Sequence, residues 1–243
     1  MDEIVMDKFE DFILFDRLEE QLSFLDACPD KITSALCFHG LPGIGKTSFA
    51  KYFAKKHAKC VTYMDVSDWT EFKKRPVYKD WKRELVHIDV DSEYREDKKK
   101  YFDRALILDE WGDMKPVAQT WWKLPLQEMQ DLKVTHDFKM LVIICLNTSP
   151  YKKEEKLSLE NQMIPAIRSR CGGGRKVLDR SNATNIIDFC PRSGEEDSVV
   201  DAFTDRYPHL SDDDFASTYP DLRALVAAGE KSNAMYEWKL NNK

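Results

Sequence analysis

Gly40-Leu41-Pro42-Gly43-Ile44-Gly45-Lys46-Thr47 is the stretch that decides the fold. An apolar run, Ala35-Leu36-Cys37-Phe38, precedes it. After it comes Ser48-Phe49-Ala50-Lys51-Tyr52-Phe53-Ala54, whose apolar residues recur at helical spacing. Strand, glycine-rich turn and helix in that order form the context that the phosphate-binding pattern G-x-x-x-x-G-K-[ST] requires. Such a turn brings successive backbone N–H groups round to face phosphate oxygens, and the helix adds the partial positive charge of its N-terminus. The spacing predicts that Gly40, Pro42, Gly43, Ile44, Gly45, Lys46, Thr47 and Ser48 cradle a nucleotide. Lys46 then reaches the β- and γ-phosphates, and the Thr47 hydroxyl ligates Mg2+.

Downstream, Arg104-Ala105-Leu106-Ile107-Leu108-Asp109-Glu110 is an apolar run that ends in two carboxylates. Ligands of an α/β sheet sit at the carboxyl ends of its strands. Asp109 is therefore expected beside Thr47, holding the metal shell, with Glu110 polarising the attacking water. A further apolar run, residues 140–146, delivers Asn147 to the same edge, where an amide would position that water. Other candidate strands are residues 60–66 and 186–190. Residues 67–103, with Trp69, Phe72, Tyr78 and Trp81 among many charges, read as an insertion that includes a possible short strand at 85–90.

Helices are expected over residues 9–28, with Leu18, Leu22 and Leu25 on one stripe, and over Met114 to Leu132, where Trp121, Trp122, Leu126 and Met129 read as core. Ser193-Gly194-Glu195-Glu196 has capping-box spacing ahead of a helix to about Tyr207. Ser211 caps another, and Tyr219 to Leu225 opens the last. These residues read as a small helical unit.

Composition narrows the setting. With 42% hydrophobic residues in 243 and no apolar run of bilayer-spanning length, no membrane role is expected. Met1 to Asp7 is acidic and unlike a signal peptide. Six scattered cysteines show no metal-binding or disulfide spacing. A reducing cytoplasmic or nuclear setting follows. The net charge of −6 argues against nonspecific coating of nucleic acid. Lys98-Lys99-Lys100, Lys152-Lys153 and the Arg168, Arg170, Arg175, Lys176 group remain candidates for a local basic track.

Taken in order, the phosphate loop, the Asp-Glu strand end, the strand-end Asn, Ser169-Arg170-Cys171 preceded by Ile164-Pro165-Ala166-Ile167, and Pro220-Asp221-Leu222-Arg223 resemble the AAA+ ATPases. The local wording is most similar to their clamp-loader branch. The resemblance implies a five-stranded parallel P-loop sheet flanked by helices, with a base over residues 1–190 and a helical lid over 191–243. It makes Asp109-Glu110 the Walker B pair, Asn147 sensor 1 and Arg223 sensor 2. Arg170 becomes the arginine that completes a neighbouring subunit's site. ATP and Mg2+ are the implied ligands. The implied partners are other subunits in a ring or spiral, primed or single-stranded DNA, and a replication protein such as a clamp or a helicase. Two other readings share the phosphate loop and the acids: a superfamily 3 replicative helicase, and a nucleotide-dependent helicase loader or adaptor with slow turnover.

Overall fold

The computed structural model describes residues 8–12, 14–32, 34–66, 100–128, 138–149, 157–171, 185–192, 194–219 and 221–241, the side chains of Glu196, Ser198 and Arg223 excepted. The apolar runs become strands of one sheet: β1 (Leu36–Gly40), β2 (Ala58–Asp65), β3 (Phe102–Asp109), β4 (Met140–Asn147) and β5 (Ile186–Asp188). Their spatial order is β2-β3-β4-β1-β5, and every pairing is parallel. The helices are α1 (Asp16–Ala27), α2 (Lys46–His57), α3 (Pro116–Trp121), α4 (Leu159–Gln162), α5 (Pro165–Arg168), α6 (Glu196–Arg206), α7 (Asp212–Thr218) and α8 (Leu222–Asn241). Residues 123–128 are helical as well.

Parallel strands covered on both faces need apolar residues at nearly every position, and Ala105 to Leu108 of β3 and Met140 to Leu146 of β4 meet that demand. Alternate residues then feed two cores. Phe38, Ile107, Ile143 and Cys145 pack beneath α1, α2 and the C-terminal helices, through Leu18, Leu22, Leu25, Phe49, Phe53, Phe203 and Leu225. Cys37, Leu106, Leu108 and Ile144 face the other way, toward Trp111, Trp122, Leu126, Ile167 and Cys171.

Several expected elements differ in detail. The helix foreseen from Met114 starts at Pro116, a residue suited to the first helical turn, and a turn at Trp122 interrupts it. Trp122 and Leu126 are buried, whereas Trp121 is only half-buried. Met129 to Leu132, residues 67–99 and Gly172 to Thr184 lie outside the described residues. Ser193 of the expected capping box and the side chain of Glu196 lie outside the described residues, and Glu195 stands at the cap position of α6 without a side-chain cap bond. Its carboxylate is engaged elsewhere, accepting from Arg17 Nε at 2.9 Å and from Arg192 N at 2.7 Å. Ser211 does cap α7, its Oγ accepting from Asp214 N at 3.1 Å.

Arg17 ties α1 to the end of the sheet's last strand. It donates to Glu195 and to the carbonyl oxygens of Asp188 (3.2 Å) and Cys190 (2.9 Å). One guanidinium thus joins α1, the end of β5 and the start of α6, with the fixed fork geometry that only arginine offers.

Phe49 anchors α2 to the sheet, its ring 5.8 Å from Phe38 and 5.3 Å from Phe12. Phe49→Ala is expected to lower unfolding free energy by about 3–5 kcal/mol, read by urea titration.

Candidate active site

Register brings the chemistry to one edge. Gly40 lies opposite Asn147, and Asp65 opposite Asp109, so the carboxyl ends of four strands converge on the start of α2. A backbone bond from Thr148 N to Gly40 O (2.9 Å) joins the end of β4 to the loop.

Lys46 is 5% exposed. A buried ammonium needs acceptors, and Nζ donates to Gly40 O at 3.1 Å, Leu41 O at 2.6 Å and Asn147 Oδ1 at 3.0 Å. Burial pulls its pKa below the ordinary lysine range. Asn147 turns its Nδ2 to Glu110 Oε2 at 2.8 Å. Only this orientation of the amide satisfies both neighbours, with oxygen toward the cation and nitrogen toward the carboxylate.

Asp109 is held by three donors. Oδ2 accepts from Thr47 Oγ1 and from the Tyr63 hydroxyl, both at 2.9 Å, while Oδ1 accepts from Glu110 N at 3.0 Å. Glu110 itself leaves the strand in the left-handed region, φ 53° and ψ 36°. That conformation costs a non-glycine residue roughly 1–2 kcal/mol, and strain of this kind concentrates at functional sites. Burial first, and then the carboxylates of Asp109, Asp113 and Asp65, push the Glu110 pKa up, while Lys46 pulls it down. A more basic carboxylate suits a group that takes a proton from water.

The loop fits a phosphate ligand. Gly45, at φ 94°, stands at the N-cap of α2, which has no side-chain cap, and open space lies where its Cβ would be. The first N–H groups of a helix without a side-chain cap are ready donors to an anion. Among the described residues no group of three or more His, Cys, Asp or Glu forms a metal cage. Thr47 and Asp109 offer two hard oxygens, a donor set that suits Mg2+ when substrate phosphates complete its shell.

Gly43 sits at φ 75°, and a Cβ there would run into the Asp221 carboxylate. Asp221 also accepts from Ala224 N at 3.1 Å, so the residue that caps α8 rests on the phosphate loop. Arg223 lies in α8, and its side chain is outside the described set. The structure therefore joins Lys46, Thr47, Asp109, Glu110 and Asn147 in one hydrogen-bonded group and adds Tyr63 and Asp221, which sequence reading missed as site residues. Tyr63 carries no local motif, and only the β2–β3 register aligns it with Asp109. Asp221 belonged to a quoted motif, but nothing in its spacing pointed back to Gly43.

Arg170 stands apart, in the 3-10 turn Ser169–Cys171 on the sheet face opposite α2. Its Nη1 donates to Ala166 O at 2.6 Å, and neighbouring Cys171 is anchored in the second core. Of the basic candidates, Arg168 lies 3.4 Å from Glu160. Lys100 donates to Lys55 O at 2.9 Å, near the end of α2. The remaining lysines and Arg175 are outside the described residues. All six cysteines are free thiols, and among the described residues no helix is long and apolar enough to cross a membrane.

No protein-family model and no curated protein matches the sequence. Solved structures do match in shape. The Thermotoga maritima RuvB Holliday junction branch migration motor aligns over 92% of this chain and 63% of its own, at TM-score 0.51 and 15% identity. The replication initiator DnaA bound to AMPPCP and single-stranded DNA aligns over 94% and 65%, at 0.56 and 12%. Aeropyrum pernix ORC1 in complex with DNA aligns over 97% and 63%, at 0.50 and 15%. The fold is the AAA+ P-loop fold. The chain spans slightly less than two thirds of the length of these AAA+ structures.

Gly43→Ala should weaken nucleotide binding about 5- to 30-fold in a titration with a fluorescent ATP analogue, from backbone strain of roughly 1–2 kcal/mol. Gly194, at φ 90° with open space around it, is the control. Gly194→Ala carries similar strain away from the loop and should leave that affinity unchanged.

Proposed function

We propose that this chain is a Mg2+-dependent ATP hydrolase of AAA+ type, working at the seams of an oligomer. The observation that carries this reading is the connected group of Lys46, Thr47, Asp109, Glu110 and Asn147, assembled from a loop, a helix and two strands. In this reading the backbone of residues 40–48 and Lys46 bind the triphosphate, and Thr47 and Asp109 hold Mg2+. The metal supplies neutralisation of the β,γ-phosphate charge. Glu110 accepts the proton of the attacking water, and Asn147 holds Glu110 and Lys46 in fixed relation. Asn147 thus acts on the base as well as on the lysine.

Residues 1–190 then form the base and 191–243 the lid, and Arg223 is the lid's nucleotide-binding arginine. Arg170, on the face away from α2, serves a neighbouring copy, because an arginine supplied in trans stabilises transition-state charge and is worth orders of magnitude in rate. The task that best fits Ser169-Arg170-Cys171 and Asp221-Leu222-Arg223 is clamp-loader-like: a ring or spiral on primed or single-stranded DNA that loads a partner protein such as a clamp or a helicase. The folds of DnaA with AMPPCP and single-stranded DNA, and of ORC1 with DNA, support a DNA-linked role.

ATPase rate per subunit should rise with protein concentration and respond to primed or single-stranded DNA. Lys46→Ala should bind no ATP. Arg170→Ala should bind it normally yet turn over poorly, and mixing the two variants should restore part of the rate. A concentration-independent rate together with no recovery in mixtures would exclude action at a seam.

Glu110 adds a pH signature. Its raised pKa means that the folded chain holds this proton more tightly than the unfolded one. The associated stability is fully present below the unfolded glutamate value and is lost as pH rises through the raised value. Glu110→Gln should therefore bind ATP without splitting it and melt above the parent at pH 7, the gap closing toward pH 4. An equal gap at both pH values would contradict this assignment.

A further inference from the structure

Tyr63 is 45% exposed on β2, at one edge of the sheet, yet its hydroxyl donates inward to Asp109 Oδ2 at 2.9 Å. The register explains the reach. Tyr63 pairs with Ile107, and Asp65 with Asp109; residues two apart share a face, so the phenol crosses diagonally to the carboxylate on the neighbouring strand. The ammonium of Lys51, on α2, lies over the ring, 4.8 Å from its centroid, a cation–π contact that steadies it.

We infer that Tyr63 is a positioning residue for Mg2+, holding Asp109 in its metal-binding orientation through the Oδ2 hydrogen bond. The inference rests on the ATPase reading above. Oδ2 has two donors, Thr47 and Tyr63. Thr47 Oγ1 is itself a proposed metal ligand, so its bond to Asp109 must adapt when the ion arrives. The bond from Tyr63 need not. Groups that orient a ligating carboxylate contribute to metal affinity without touching the metal, and losing one typically costs 10- to 100-fold.

Tyr63→Phe removes only the hydroxyl from a half-exposed ring. A fluorescent ATP analogue, titrated over a Mg2+ series and again in EDTA, separates the possibilities. The variant should need about tenfold more Mg2+ for half-maximal enhancement of nucleotide binding, with EDTA affinity and melting temperature as in the parent. A Mg2+ requirement within twofold of the parent's, or a matching fall in EDTA affinity, overturns the positioning role. If the parent itself binds no nucleotide with Mg2+, the ATPase reading fails and this inference with it. If the parent shows Mg2+-enhanced binding and the variant tracks it, only Tyr63 is excluded.

Discussion

The ammonium of Lys46 is the constraint on which the rest of the site depends. A positive charge sealed from water is tolerable only where acceptors surround it, and here two backbone carbonyls and one amide oxygen do so. Those acceptors come from the last residue of β1, the residue after it and the last residue of β4, so the charge can be satisfied only when the two strands end level. The Gly40–Asn147 pairing meets that requirement. Glu110 is placed in turn by the same amide. Lysine, amide and carboxylate are one mechanical unit, and a change at any member is felt by the other two.

A second unit, centred on Asp109, runs alongside it. Thr47, Tyr63 and the backbone of Glu110 fix both oxygens of the carboxylate. The two units meet at Glu110, whose left-handed backbone lets it donate to Asp109 while its side chain reaches Asn147. The strain of that conformation and the burial of a carboxylate among other acids are both destabilising.

The helices after β5 report on the same loop. Asp221 caps α8 and rests against Gly43, so a movement of the loop reaches the long C-terminal helix directly. Glycine at 43 therefore answers two demands at once, a left-handed backbone and room for a carboxylate.

Much of the sheet was legible in the sequence, because buried parallel strands leave unbroken apolar runs and the phosphate loop leaves its own spacing; Leu36–Gly40, Phe102–Asp109 and Met140–Asn147 fall close to where those runs lie. Lys46, Thr47, Asp109, Glu110 and Asn147 could be named because each sits at a motif or at the end of an apolar run. Tyr63 and Asp221 could not. Their roles depend on strand register and on a helix start meeting a loop far away in sequence. Local pattern records what a segment needs for itself, namely period, burial and turn chemistry. Which distant side chain satisfies a carboxylate or crowds a glycine is decided only when the strands align, since such contacts have no spacing along the chain.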